Sequence, residues 1–454
     1  MNWTRIAIGL CLSAIAALGA TAGGLPDKIV WTIAITVLTA SWWVSEALPI
    51  PATSLVPFAL FPIAGVLDQR QAAAALGSYV IILLMASFML SKSLERCGVH
   101  ERLAVYMIRL VGMSGRRLVL GFMFAAAILS MWVSNSATTL MLATMALSII
   151  ARTDNDRLAT PLLLGIAFAA SLGGTGTLVG TPPNLIFLEA FQQATGEDYS
   201  FLRWMMTGVP VVAIGVPLMG LWLTRRLGGV DAPQLPTPGP WRVDEKRTMI
   251  VFGIAIMAWI TRIEPFGGWS GLLGITQAGD STVAILAVVV MFLVPNGKGG
   301  ALLDWKMAND IPWGMLLLFA GGICIAAAFR ESGLATLIGE QLGSLTKVNP
   351  LLMILGLCLS VTFLTEITSN TATANLLMPV LAAVAVAADL PPALLMAPAA
   401  ISCSCAFMLP VATAPNAIIY ATGRVSIARM AREGFVLNIL IALVTTGVTY
   451  MLLS

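Results

Sequence analysis

Two polar clusters sit in the middle of long apolar stretches of the chain. One is Ser134-Asn135-Ser136-Ala137-Thr138; the other, 235 residues further on, is Ser369-Asn370-Thr371-Ala372-Thr373. Each is followed by a Thr/Pro/Asn break: Gly180-Thr181-Pro182-Pro183-Asn184 and, 232 residues later, Ala412-Thr413-Ala414-Pro415-Asn416. Hydroxyl and carboxamide side chains offer neutral donors to an anion, or oxygen ligands to a small cation such as Na⁺. They can also satisfy the backbone of a turn themselves, which is the plain explanation for any single cluster. A cluster and a break that both recur, in the same order, point to a site.

Other chemistry is poorly supported. The run from Gly173 to Gly180 looks like a phosphate loop but lacks its G-K-[ST] ending and spacing. It reads better as an unwound helix whose carbonyls face an ion. No Lys or Arg occurs in 118–151, 158–202 or 348–423, the segments that carry the clusters and breaks. A site built there has no fixed positive charge. An anion would be held by helix N-termini, hydroxyls and amides, and the desolvation of a dianion would be costly without mobile cations beside it. The site therefore takes a neutral substrate or an anion bound with cations. Glu366 precedes the second cluster and reads equally as a coupling carboxylate for protons or Na⁺ and as a structural hydrogen-bond acceptor. Glu46 reads as an anchor or helix-end cap near an interface. The one histidine, His100, is expected to be exposed at a helix end, a poor metal ligand. The six cysteines show no C-x-x-C and read as small packing residues. An intramembrane enzyme would need a nucleophile–base pair or a metal cluster, and the sequence presents neither; no catalytic residue is assigned.

The elements that position these residues are membrane helices. Hydrophobic residues make up 58% of the 454, charged residues 10%, and mean hydropathy is +0.91. Lipid must be the solvent; disorder, nucleic-acid binding and a cytosolic enzyme are excluded. Continuous crossings fit near 4–22, 29–47, 51–67, 78–97, 202–224, 247–263, 281–295, 312–330 and 433–453. Segments 158–190 and 392–421 are broken by Gly and Pro, and 118–151 and 349–387 read as re-entrant hairpins with the clusters at their tips. The N-terminus also has signal-peptide features, but the charge pattern needs it as a helix. With a cytoplasmic N-terminus, the basic stretches 92–117, 225–247 and 424–432 all fall inside and the C-terminus ends outside. The stretch 228–240 is the best linker between two halves. One hairpin then enters from each side, so the repeats are inverted. The fold expected is an all-α polytopic membrane protein, an inverted repeat of about 11 transmembrane helices, two re-entrant hairpins and two broken helices. That architecture is the mark of a secondary transporter.

The paired hairpin tips, Gly-Thr-Pro-Pro-Asn at 180–184, the segment Trp42-Trp43-Val44-Ser45-Glu46-Ala47-Leu48-Pro49-Ile50-Pro51 and Ala431-Arg432-Glu433-Gly434 together resemble the divalent anion/sodium symporter family. The resemblance spans nearly the whole chain. It implies a homodimer that moves C4-dicarboxylates such as succinate with Na⁺ by an elevator motion; the compact loops point to a plasma membrane, here a bacterial inner membrane. It implies a scaffold domain (1–111 and 231–346) and a transport domain (112–230 and 347–454). One Na⁺ site would use Ser130, Ser134, Asn135 and the Gly180 carbonyl; the second would use Thr365, Thr368, Asn370 and the Ala412 carbonyl. The substrate carboxylates would meet Asn135, Ser136, Asn370 and Thr371, with Thr181 and Thr413 nearby. Ser136 stands where the family usually has Thr, which bears on substrate choice. Ala414 stands where the first repeat has Pro182, which bears on the geometry of the second break. A sodium-independent dicarboxylate exchanger is the alternative function; an ion antiporter coupled through Glu366 is a weaker one.

Overall fold

The computed structural model describes residues 3–153, 156–227, 238–264, 266–342 and 349–454. Most of the expected linker therefore lies outside the described residues. Among those described the chain is helical, with one isolated bridge between Pro295 and Ala301. It opens with α1 (Trp3–Ala22), α2 (Asp27–Ser45), α3 (Ile50–Thr53), α4 (Val56–Ile63), α5 (Gln69–Leu76), α6 (Tyr79–Cys97) and α7 (Val99–Val111). The first hairpin is α8 (Gly115–Ser130) and α9 (Asn135–Thr153); the first broken helix is α10 (Asp156–Gly173) and α11 (Pro182–Thr195); α12 (Phe201–Thr224) completes the half. The second half begins with α13 (Val243–Ile260), α14 (Gly268–Leu272), α15 (Asp280–Leu293), α16 (Trp305–Asn309), α17 (Trp313–Ser332) and α18 (Leu334–Leu342). Its hairpin is α19 (Pro350–Thr365) and α20 (Asn370–Ala387), its broken helix α21 (Pro392–Cys403) and α22 (Ala414–Ala421), and α23 (Ile427–Leu453) ends the chain. Nine helices among the described residues are long and apolar enough to span a membrane, and four shorter apolar ones accompany them.

The repeat seen in the sequence is a repeat of structure. At the same 235-residue spacing, α6 and α17 both end on a left-handed glycine, Gly98 (φ 69°) and Gly333 (φ 82°), and a short helix follows each. Both hairpin tips line one cavity. The broken helices form the centre. Every residue from Ala393 to Cys403 in α21 is buried, and α10 is buried almost throughout. Both are rich in alanine, and small side chains let neighbouring helices approach where lipid gives little hydrophobic drive to associate. At the other extreme α1 buries only Gly9 and Ala20 and packs on α2.

Two expectations need correction. The crossing near 51–67 is two helical pieces, α3 and α4. Pro51 and Pro57 lack amide hydrogens at the two helix starts, and Ser54 at the junction accepts a hydrogen bond from Trp43 Nε1 (3.0 Å). His100 is buried, not exposed: α7 starts directly after the left-handed Gly98 that ends α6 and packs on α8, and His100 Nδ1 lies 3.0 Å from the Leu94 carbonyl.

Candidate functional site at the paired hairpin tips

Each hairpin tip is closed by the residue one turn before its cluster. Ser130, the last residue of α8, hydrogen-bonds Asn135 Oδ1, and Thr365, the last of α19, lies 2.6 Å from Asn370 Oδ1. Thr365 also lies 2.9 Å from the Cys403 carbonyl, which ties the second tip to its broken helix. Ser134 and Ser369 direct their hydroxyls at the Ala137 and Ala372 amides (both 3.5 Å) as N-terminal caps of α9 and α20.

The breaks are held open by the asparagines that end their motifs. Asn184 Nδ2 donates to the Gly174 (3.1 Å) and Thr177 (2.7 Å) carbonyls, and Asn416 Nδ2 to those of Ala406 and Leu409 (3.0 Å each). The Oδ1 atoms of both asparagines are buried without a protein partner. Gly180 rests on the Gly174 carbonyl so closely that a Cβ there would overlap it. Thr181 and Thr413 have matching extended backbones (φ −149°, ψ 144° and φ −141°, ψ 151°). The Ala414 for Pro182 exchange thus leaves the geometry of the second break intact, with Pro415 still in the first turn of α22. Thr181 Oγ1 meets Ser404 Oγ (3.3 Å), so the two breaks touch.

The tips and breaks enclose a cavity of about 780 Å³. Ser134, Asn135, Ser136, Gly180, Thr181, Asn370, Thr371, Ala412 and Thr413 all line it. The remaining residues singled out from the sequence, Ser130, Thr365 and Thr368, lie just behind the lining; the Thr368 hydroxyl is engaged by the Leu364 carbonyl (2.8 Å) and Thr373 Oγ1 (2.7 Å). Four helix N-termini (α9, α11, α20 and α22) begin on the cavity wall. Their unpaired amides and dipoles favour an anion, while the C-terminal carbonyls of α8, α10, α19 and α21 favour cations. Lys92 is the one basic residue in the lining, and it stands at the mouth in an ion pair with Glu95 (3.2 Å). Glu46 and Asp310 share that mouth. Glu46 also ends α2 in a left-handed conformation (φ 49°), so it is a helix-end residue that faces the cavity.

Glu366 has a structural role. Its carboxylate accepts from the amides of Phe407 (2.7 Å), Met408 (2.8 Å) and Leu409 (3.0 Å) and from Asn438 Nδ2 (2.8 Å). It pins the second break to the second hairpin, with three of the donors on Oε1 and one on Oε2. The sequence reading also passed over Asn184 and Asn416 as structural parts; their recurrence at the end of each break was the available signal.

The citrate transporter family model matches residues 40–392. The sodium-dependent dicarboxylate transporter SdcS of Staphylococcus saprophyticus is 40% identical, over 94% of this chain and 87% of that protein. The protein of the same name from Staphylococcus aureus strain MRSA252 is 38% identical over the same shares. The chain belongs to the divalent anion/sodium symporter family. As a member of this symporter family it is a multi-pass membrane transporter, not an enzyme. Solved structures extend the likeness to the fold alone: the YdaH transporter of Alcanivorax borkumensis (TM-score 0.58, 15% identity, 94% of this chain and 98% of that one) and MtrF of Neisseria gonorrhoeae (TM-score 0.52, 14% identity, 94% of each).

Proposed function

We propose that the protein is a secondary active transporter that carries a C4-dicarboxylate such as succinate together with Na⁺. The observation that carries this reading is the cavity itself: four helix N-termini and duplicated hydroxyl–amide tips, with its one lysine held at the mouth. Such a site attracts carboxylates but cannot neutralise two of them, so cations must enter as well. Asn135, Ser136, Asn370 and Thr371, with Thr181 and Thr413, would meet the substrate carboxylates. Ser130, Ser134, Asn135 and the Gly180 carbonyl would hold one Na⁺; Thr365, Thr368, Asn370 and the Ala412 carbonyl would hold the other. Each asparagine serves ion and substrate, which couples the two. The names of the SdcS relatives support both the ion and the substrate class.

Movement is by an elevator in a homodimer. The hairpins, broken helices, α12 and α23 travel as a transport domain against a scaffold built from α1–α7 and α13–α18. With the N-terminus in the cytoplasm, the mouth at Lys92, Glu95 and Asp310 opens inward. Radiolabelled succinate uptake into proteoliposomes tests the function. Accumulation driven by an inward Na⁺ gradient and absent with K⁺ is expected. Uptake that ignores Na⁺ but needs internal dicarboxylate would replace symport by exchange.

A further inference from the structure

On the side away from the cavity mouth, three hydrogen bonds join the proposed transport domain to helices outside it. Ser78 Oγ donates to Glu189 Oε2 (2.5 Å), Arg330 Nη1 to the Gln193 carbonyl (2.9 Å), and Asn375 Nδ2 to the Leu318 carbonyl (3.2 Å). The third lies deepest. Asn375 is 3% exposed, on α20 just beyond the second tip, and Leu318 belongs to α17. A helical carbonyl is normally occupied by its own helix and screened by the side chain four residues on. Here that residue is Gly322, and a Cβ at Gly322 would overlap the Asn375 carboxamide. The glycine makes the contact possible.

The repeat shows what the other side has in the same place. At the 235-residue spacing, Asn375 corresponds to Leu140, Gly322 to Ser87 and Leu318 to Leu83. The leucine is kept, and the other two differ in the direction that removes the contact. Ser87 Oγ donates to the Leu83 carbonyl (2.7 Å) and fills the space that Gly322 leaves. Leu140 has no donor and is exposed. α20 packs along α17, whereas α6 and α9 both line the open cavity.

We propose that Asn375, Gly322 and the Leu318 carbonyl form a one-sided latch that favours the state open to the cytoplasm. The proposal rests on the elevator reading and on the orientation given above. In an inverted repeat, the outward-open state packs α9 on α6 much as α20 packs on α17 here. That packing meets a carbonyl already capped by Ser87 and a leucine that can donate nothing. The inward-open state therefore keeps one buried hydrogen bond that its counterpart lacks. Asn and Leu branch at the same carbon, so Asn375→Leu removes the bond at little change in shape.

The test is thiol accessibility in full-length protein reconstituted in vesicles of known sidedness. Val411 is 84% exposed and lines the cavity, and Cys11 is the one exposed native cysteine among the described residues. Val411→Cys in a Cys11→Ser background is labelled with a membrane-impermeant maleimide from each face, in K⁺ buffer. The parent is expected to label faster from the cytoplasmic face. Asn375→Leu should lower the inside-to-outside labelling ratio about five-fold, the equivalent of one net hydrogen bond of about 1 kcal/mol. Gly322→Ser, which copies the first repeat, should lower it as well. Ser87→Gly with Leu140→Asn builds the latch on the opposite side and should lower it independently, which keeps the test open if either α17–α20 variant fails to fold. A parent that labels equally from both faces, or faster from outside, overturns the orientation and state on which the latch rests. A parent that behaves as expected, with ratios unchanged in the variants, overturns the latch alone.

Discussion

The two halves of the site hold nearly the same functional groups but support them differently. In the first repeat the break is fixed mainly through its carbonyls and hydroxyls: Asn184 binds two carbonyls, Trp204 Nε1 binds that of Thr175 (2.9 Å), and the Thr177 hydroxyl binds that of Met131 (2.6 Å). In the second repeat Glu366 stands at the position of Met131 and grips three successive amides. Where Met131 offers its backbone, Glu366 offers a charge. The ligand-facing groups are bound to stay alike because both tips face one cavity. Their supports face different neighbours and have diverged. The apparent symmetry of the motifs therefore does not extend to stability or to the preference between states.

The largest effect expected treats the halves alike. Asn135→Ala and Asn370→Ala should each abolish Na⁺-driven succinate uptake, since each asparagine would serve ion and substrate. Wild-type-like uptake in either one breaks the proposed equivalence of the tips. The supports should then separate. Glu366→Gln keeps one acceptor oxygen but removes the charge and sets an NH2 against the Leu409 amide, and should destabilise the protein by about 2–3 kcal/mol, whereas Met131→Leu should cost about 1 kcal/mol or less. Thermal unfolding in detergent compares them, and equal losses would contradict the asymmetry. Asn184→Ala and Asn416→Ala each remove two bonds, in the range of about 1–3 kcal/mol. The Asn416 variant should lose less, because Glu366 still holds residues 407–409; the same melting series would show a reversed order. The smallest effect is Ser136→Thr, which makes the first tip match Thr371. One added methyl should change the apparent KM for succinate by about four-fold at most, the worth of about 0.8 kcal/mol, with kcat little altered.

How much was legible in the sequence follows from how local each cause is. The tips could be read because Asn and Ser are conspicuous in apolar surroundings. The breaks could be read because Gly and Pro act on their own backbone. The repeat linked them without any contact having to be known. Glu366 was ambiguous for the opposite reason: its partners lie at 407–409 and 438, and nothing within one turn of it shows whether four donors will be present. His100 was misjudged because its burial depends on α7 packing against α8, a contact that the charged residues around it concealed. The two pieces at 51–63 and the short helices α5, α7 and α18 were missed by a search for spans, which registers length and hydropathy and passes over elements too short to cross.

The mouth of the cavity has a further consequence for the rate at which cargo leaves. Glu46, Glu95 and Asp310 face a single lysine there. A dianion passing this opening from either side would meet net negative charge and be repelled, while Na⁺ would be drawn in. Passage of the dianion is slowed in both directions, and that of Na⁺ is not. The opening behaves as an ion-selective vestibule whose bias fades as salt screens it, over a Debye length of about 8 Å at physiological ionic strength.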